Sequence, residues 1–255
     1  MHVKKVVEPG ILVEVLAQMR MNSVFKFVFL NVNILKMKAL TPPLKTLAQL
    51  LKQKSQSLNL FSAQDRKKLE TKHFPDALEF FEVAQVKSGM KCADIGTGGG
   101  IPGLVIGAAE PHLKVTLVDS TKKKLQVLEE ILNEYPCPNT KTLWGRFEEL
   151  AHDKKYREQF DFVTARAVAE LPTLLEYAAG FLKKGGLFIA WKNFDFEGEL
   201  SNSEKAQKTL KMKHIKSHPY SLPTGEGRVL LIFQKEGPLA KIYPRGSGTP
   251  SKKPL

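Results

Sequence analysis

The sequence has only two cysteines, Cys92 and Cys137, in 255 residues. Two thiols cannot build a disulfide framework, and they fall short of a four-ligand zinc set unless histidines join at suitable spacing. A reducing cytoplasm is the expected compartment, and no metal site is expected. Long apolar runs are scarce as well. The richest, SVFKFVFLNVNILK at residues 23–36, is broken by Lys26, Asn31 and Asn33 and stays well short of the roughly 20 apolar residues a spanning helix needs. It also lacks a small-residue cleavage pattern, so neither a membrane segment nor a signal peptide is expected. Acid is scarce at the two ends alone. Residues 51–200 carry 21 bases and 21 acids, whereas residues 1–50 and 201–255 hold 7 against 2 and 11 against 3, which places the whole formal charge of +13 in the flanks. A balanced centre with basic flanks fits a catalytic core that meets a polyanion.

From residue 90 onward, buried-type strands alternate with amphipathic helices. MKCADIG, KVTLVDS, TKTLWG, FDFVTARA, GLFIAWK and RVLLIFQK read as strands, and a helix over about 197–212 is expected to lead straight into the last of them. Such alternation predicts an α/β fold of Rossmann-like type, with a mainly parallel sheet covered by helices on both faces. LKTLAQLLKQKSQSL, after Pro42 and Pro43, reads as an amphipathic helix of a small helical N-terminal part. The expected organisation is an extension over 1–36 whose role the sequence does not indicate, a helical part over 37–85, the α/β domain over 86–237 and a basic tail over 238–255. Ligands of such sheets lie at the carboxyl ends of the strands. There the sequence places Asp94 and Gly96, Asp119, Arg146 to Glu148, Arg166 and Lys192.

The stretch KCADIGTGGGIPG, residues 91–103, allows two readings. Gly98, Gly100 and Gly103 satisfy the G-x-G-x-x-G spacing of dinucleotide sites. Asp94, however, would repel a pyrophosphate at the end of the first strand and favour a cationic ligand such as S-adenosyl-L-methionine, whose approach side-chain-free glycines permit. Asp119, about 20 residues beyond, suits the ribose of either cofactor.

DIGTGGGIPG, VDSTKKK, GRFEEL, TARAVAEL and the terminal KIYPRGSGTPSKKPL resemble the RsmG (GidB) family of small-subunit ribosomal RNA guanine-N7 methyltransferases. NLFSAQDRKKLETKHFPDAL resembles the family's element of the form NLT…HFLDSL, with Asn59, Leu60, His73 and Asp76 matching. HFPDAL in place of HFLDSL and WKN in place of LKG are departures, and the family's tryptophan before Asn-Leu is missing. The resemblance covers about residues 45–255. It implies a class I methyltransferase fold and methyl transfer from S-adenosyl-L-methionine to N7 of guanine 527 in 16S ribosomal RNA, free or in a small ribosomal subunit particle. It further implies a cytoplasmic protein, read here as a monomer.

Carried over by residue, the family's cofactor contacts fall on Gly96 and Ile101 in the loop, Phe147 and Glu148 in GRFEE, and Arg166, and Asp119 and Ser120 match the ribose-end strand; Asp94 and Gly98 join the expected set from the reading of the loop itself. Phe147 is expected to flank the adenine, and Glu148 or the backbone beside it to meet the adenine amine. Arg166 is the residue expected nearest the chemistry, on the cofactor carboxylate or the guanine edge. His73 and Asp76 are expected at the pocket mouth. Lys192, Arg228, Arg245, Lys252 and Lys253 are candidate phosphate contacts, and Tyr243 a candidate base-stacking ring. Attack by N7 removes no proton, so no general base is needed. A small-molecule methyltransferase, a nicotinamide-dependent oxidoreductase and a non-catalytic RNA-binding protein are the alternatives. Cys137 in YPCPN reads as a packed thiol in a turn, not as a nucleophile.

Overall fold

The structure is a computed structural model, and it describes residues 40–255 apart from 57 and 59. The expectations for residues 1–36 and for Asn59 lie outside the described residues. Helix α1 (Pro42–Lys54) starts on two prolines, whose missing N–H groups cost nothing in a first turn. It buries Leu44, Leu47, Ala48 and Leu51, one stripe at helical spacing. Next come α2 (Ala63–Lys67), a π-helical turn (Leu69–His73), α3 (Phe74–Leu78) and a 3-10 turn (Glu79–Glu82). Phe80 in that last turn is fully buried, edge-on to Phe162 of the sheet at 5.4 Å and to Phe81 at 5.2 Å. Such a pair contributes about 0.5–1.5 kcal/mol beyond its burial, and the one with Phe162 fastens the helical part to the sheet.

The sheet and its helices run β1 (Lys91–Ile95), α4 (Gly103–Ala109), β2 (Lys114–Asp119), α5 (Lys122–Glu134), β3 (Thr140–Trp144), α6 (Phe147–Leu150), β4 (Phe160–Arg166), α7 (Leu171–Phe181), β5 (Leu182–Asn193), α8 (Glu197–Asn202), α9 (Glu204–Leu210), β6 (Met212–Ser221), β7 (Gly227–Lys235) and α10 (Thr249–Lys252). Strand order is β3-β2-β1-β4-β5-β7-β6. The first five strands pair in parallel, whereas β7 is antiparallel to β5 and β6 to β7. Consecutive residues alternate between two cores. Phe162, Ile189 and Leu230 face α1, α4 and α5, while Val163, Ala190 and Leu231 face α7 and α9. The Rossmann-like α/β fold is as expected.

Two local expectations are corrected. The helix expected over 197–212 is two short helices that meet at Ser203, whose hydroxyl donates to Leu200 O at 2.7 Å. A hydroxyl bonded to a carbonyl one turn back competes with the helical ladder. The second helix stops at Lys211, at φ 54°. The chain then forms β6, a strand absent from the expectation. MKHIKSHPYS alternates too weakly to declare itself, and its Pro219 is tolerated because β6 is an edge strand. No helix among the described residues is long and apolar enough to cross a membrane.

Candidate active site

Asp94, at the end of β1, sits beneath the glycine loop and not in front of it. It is 1 % exposed. Its Oδ2 accepts the Thr97 hydroxyl at 2.7 Å and the Gly103 N–H at 3.0 Å, and its Oδ1 accepts the Thr164 hydroxyl at 2.8 Å. Burial pushes its carboxyl above the usual range, against the pull of these bonds. The expected negative wall for a cationic ligand is therefore corrected: Asp94 pins the loop to β4 and to the start of α4, with both oxygens engaged from inside. Asp119 clamps the other side. Its Oδ2 accepts the Gly98 N–H at 2.9 Å and its Oδ1 the Thr121 N–H at 2.8 Å. Gly96 and Thr97 both donate to Val118 O, at 2.9 and 3.0 Å.

Held this way, the loop turns bare main chain outward. Gly98 has φ +54°, and a Cβ built on it would meet only Gly96 O, at 3.8 Å. It lines a cavity of about 950 Å³ together with Gly96, Ile101, Phe61, His73, Asp76, Arg166, Trp191, Lys192 and Arg228. Five acids and five bases line this cavity in all, so it lacks the basic surplus that would mark a polyphosphate cradle.

At its centre Arg166, the last residue of β4, donates from Nη1 to Asp76 Oδ2 at 2.9 Å and to His73 Nδ1 at 3.2 Å. A guanidinium only donates, so His73 Nδ1 must accept and its proton sits on Nε2, which meets Asp65 Oδ1 at 3.3 Å. Burial first, and the Arg166 charge second, hold His73 below its ordinary pKa. The ring is thus neutral. The Arg166 Nε and Nη2 groups have no hydrogen-bond partner among the described residues. Asp76 is itself gripped: its Oδ1 accepts the Tyr220 hydroxyl at 2.5 Å and its main-chain O accepts the Trp191 indole N–H at 2.8 Å.

The sequence model described as rRNA small subunit methyltransferase G (GidB) matches residues 41–224. The ribosomal RNA small subunit methyltransferase G of Desulfitobacterium hafniense is 40% identical over 203 residues, covering 79% of this chain and 83% of that protein. Its counterpart in Lactococcus lactis subsp. lactis is 38% identical over 213 residues, covering 81% and 87%. The chain belongs to the rRNA small subunit methyltransferase G family. Among solved structures, a chain of the Haloferax volcanii complex with the Trm112 methyltransferase activator superposes with a TM-score of 0.54 at 15% identity, covering 70% of this chain and 96% of that one. The YcgJ protein of Bacillus subtilis gives 0.50 at 14%, covering 65% and 100%. These two show the fold alone.

As a member of the rRNA small subunit methyltransferase G family, the chain uses S-adenosyl-L-methionine. The residues present fit that group. Gly98 leaves open main chain for close approach, Asp119 keeps a lone pair on each oxygen, and Arg166 keeps an unclaimed fork for a carboxylate. Of the expected site residues, Gly96, Gly98, Ile101, Arg166, Lys192 and Arg228 line the cavity, and so do His73 and Asp76. Asp119 and Ser120 do not line it: Asp119 is buried against the loop, and the carbonyl of Ser120, just past β2, accepts the indole N–H of the exposed Trp144 at 3.0 Å.

Other placements depart from expectation. Phe147 packs on Tyr177, with ring centres 5.2 Å apart, and the buried Glu148 accepts the Gly248 N–H at 2.8 Å. Neither side chain lines the cavity, and the main-chain carbonyls of Phe147 and Glu149 already accept the N–H groups of Ala151 and His152. Lys192 is held by Glu199 at 2.5 Å and by Ala169 O at 3.1 Å, and Arg228 by Asn193 and by Glu226 at 2.9 Å. Arg245 is corrected from a phosphate contact to a half-buried partner of the fully buried Glu176. Its Nη2 donates to Glu176 Oε2 at 2.6 Å and its main-chain N–H to Oε1 at 2.7 Å. Tyr243 is likewise no free stacking ring, because it packs against the α7 core while its carbonyl accepts Arg157 Nη1 at 2.8 Å. Lys252 and Lys253 remain exposed.

Sequence reasoning missed Asp65, Glu199 and Tyr220. The first two carried no motif, and Tyr220 lies on the unrecognised strand β6. Cys137 is buried as expected, its thiol pushed up by burial and close to Asn139 Oδ1 and Thr140 Oγ1, 3.2 Å each.

Proposed function

We propose that this chain methylates N7 of a guanine in 16S ribosomal RNA, guanine 527, acting as a cytoplasmic monomer on the RNA or on a small-subunit particle. The cofactor supplies a methyl group on a sulfonium centre. Guanine N7 would take that methyl group as its bond to sulfur breaks, with the electron pair left on sulfur, so no residue of the chain would have a proton to remove.

The protein's task is therefore placement and electrostatics. The main chain of the Gly96–Gly98 turn and the Asp119 carboxylate hold the adenosyl part. Arg166 takes the carboxylate of the methionyl part through Nε and Nη2. The neutral His73 adds no positive charge beside a ring that is gaining one. The observation that carries this reading is the cavity at the carboxyl ends of β1, β4 and β5, floored by the bare Gly98 main chain and walled by Arg166.

The test is mass mapping of small-subunit RNA from cells with and without the gene, joined to methyl transfer in vitro to naked RNA and to particles. Loss of one N7-methylguanine at position 527, restored by the wild-type protein and not by Arg166→Ala, is the expected result. An unchanged methylation map overturns it.

A further inference from the structure

Resting on that reading of the cofactor site, we propose that Asp76 and Tyr220 are positioning residues that set the Arg166 fork for the cofactor's carboxylate. Arg166 ends a strand, and its guanidinium would be free to swing about its stem were it not fixed. Asp76, at 2.9 Å, and His73, at 3.2 Å, both hold Nη1, which leaves the Nε and Nη2 edge open for a second, bidentate carboxylate.

Asp76 could turn about its own side-chain bonds; two contacts on its carboxylate prevent this, and a third fixes its main chain. The Tyr220 hydroxyl donates to Oδ1 at 2.5 Å, Arg166 occupies Oδ2, and the Trp191 indole N–H holds the main-chain carbonyl at 2.8 Å. Asp76 is 5 % exposed, so these bonds act with little competition from water. Tyr220 is steadied in turn by His218, whose ring stacks on it with centres 6.0 Å apart and whose Nε2 lies 3.4 Å from Glu79 Oε2. Residue 76 of the helical part is thus gripped from β4, β5 and β6. The antiparallel edge of the sheet, far along the sequence from the glycine loop, thereby reaches into the methyl-transfer site. Burial and the neighbouring carboxylates keep the Tyr220 hydroxyl protonated and so able to donate.

The experiment compares two ligands on the full chain by calorimetry: S-adenosylhomocysteine, which has the carboxylate, and 5′-methylthioadenosine, which lacks the amino-acid part. Tyr220→Phe and Asp76→Asn are each expected to weaken S-adenosylhomocysteine by roughly tenfold, the effect of one misplaced charge-assisted bond, while 5′-methylthioadenosine binds as to wild type. Arg166→Ala should show the same selective loss. Equal weakening of both ligands marks a merely structural role and overturns the proposal, as does no loss for either variant. Tyr220→Phe removes one oxygen atom only, so it stands as the test if Asp76→Asn does not fold. If wild type binds neither ligand, the cofactor reading fails, which is a separate outcome.

Discussion

Arg245 closes over Glu176 from the tail of the chain, and Glu176 is 0 % exposed on α7. The tail is tied down beyond this pair. His152 Nε2 meets Pro244 O at 2.8 Å, Gly248 donates to Glu148, and the Thr173 hydroxyl donates to Pro250 O at 3.0 Å. Removing one partner of a buried pair leaves an uncompensated charge, at a cost of about 3–5 kcal/mol. Arg245→Ala should therefore lower Tm by on the order of 10 °C for a chain of this size, measured by calorimetry. The joint change Arg245→Met with Glu176→Leu should recover most of the loss. A small Tm change in the single variant would return Arg245 to the set of RNA contacts.

Two glycines of the same loop should answer alanine differently. At Gly98 the new Cβ enters open space, so the cost is the strain of φ +54°, about 1 kcal/mol. Because that space belongs to the cavity, S-adenosylhomocysteine affinity should fall by more than stability does. At Gly103 the Cβ would lie 2.5 Å from Leu117 Cδ2 and 2.6 Å from Asp94 Cβ, so Gly103→Ala should destabilise the fold itself. Thermal melts with and without ligand separate the two cases.

His73 gives the protein a pH dependence of known sign. Its folded pKa lies below the ordinary value of about 6.5, so below that pH the unfolded chain takes up a proton that the folded chain resists. The stability it contributes is present in full above pH 6.5 or so and is lost as pH falls through the folded value. Urea melts over this range should show wild type weakening on acidification and His73→Gln weakening less. Parallel curves would remove His73 as the source.

Lys252 and Lys253 are adjacent tail cations exposed to solvent, as is Lys241. Replacing both with alanine should lower the salt slope of RNA binding by about 0.7 for each single-strand phosphate that is no longer neutralised. Binding of S-adenosylhomocysteine and Tm should hold constant. An unchanged slope would take this pair of lysines out of RNA binding.

The parallel half of the fold was legible because its strands are buried on both faces and therefore read as apolar runs, as VTLVD does in β2. The antiparallel edge was not legible. β6 buries little and mixes Lys, His, Ser and Pro, so nothing in its pattern opposes a loop. Gly96, Gly98 and Arg166 could be placed in the site because strand ends are addressable from sequence. Asp94 and Arg245 were misplaced for a shared reason: composition registers a charge but not the hydroxyls or the carboxylate folded against it. Thr97, Thr164 and Glu176 supply those partners from 3, 70 and 69 residues away.

The docked tail bears on biosynthesis. Residues 243–250 emerge after every strand of the sheet, and until they arrive Glu176 and Glu148 lack the partners that hold them. A nascent chain halted at β7 would carry a complete sheet whose Glu176 has not yet met Arg245. The enzyme thus reaches its finished state only late in translation, and appendages that hinder this segment from seating should delay maturation even where they lie far from the methyl donor.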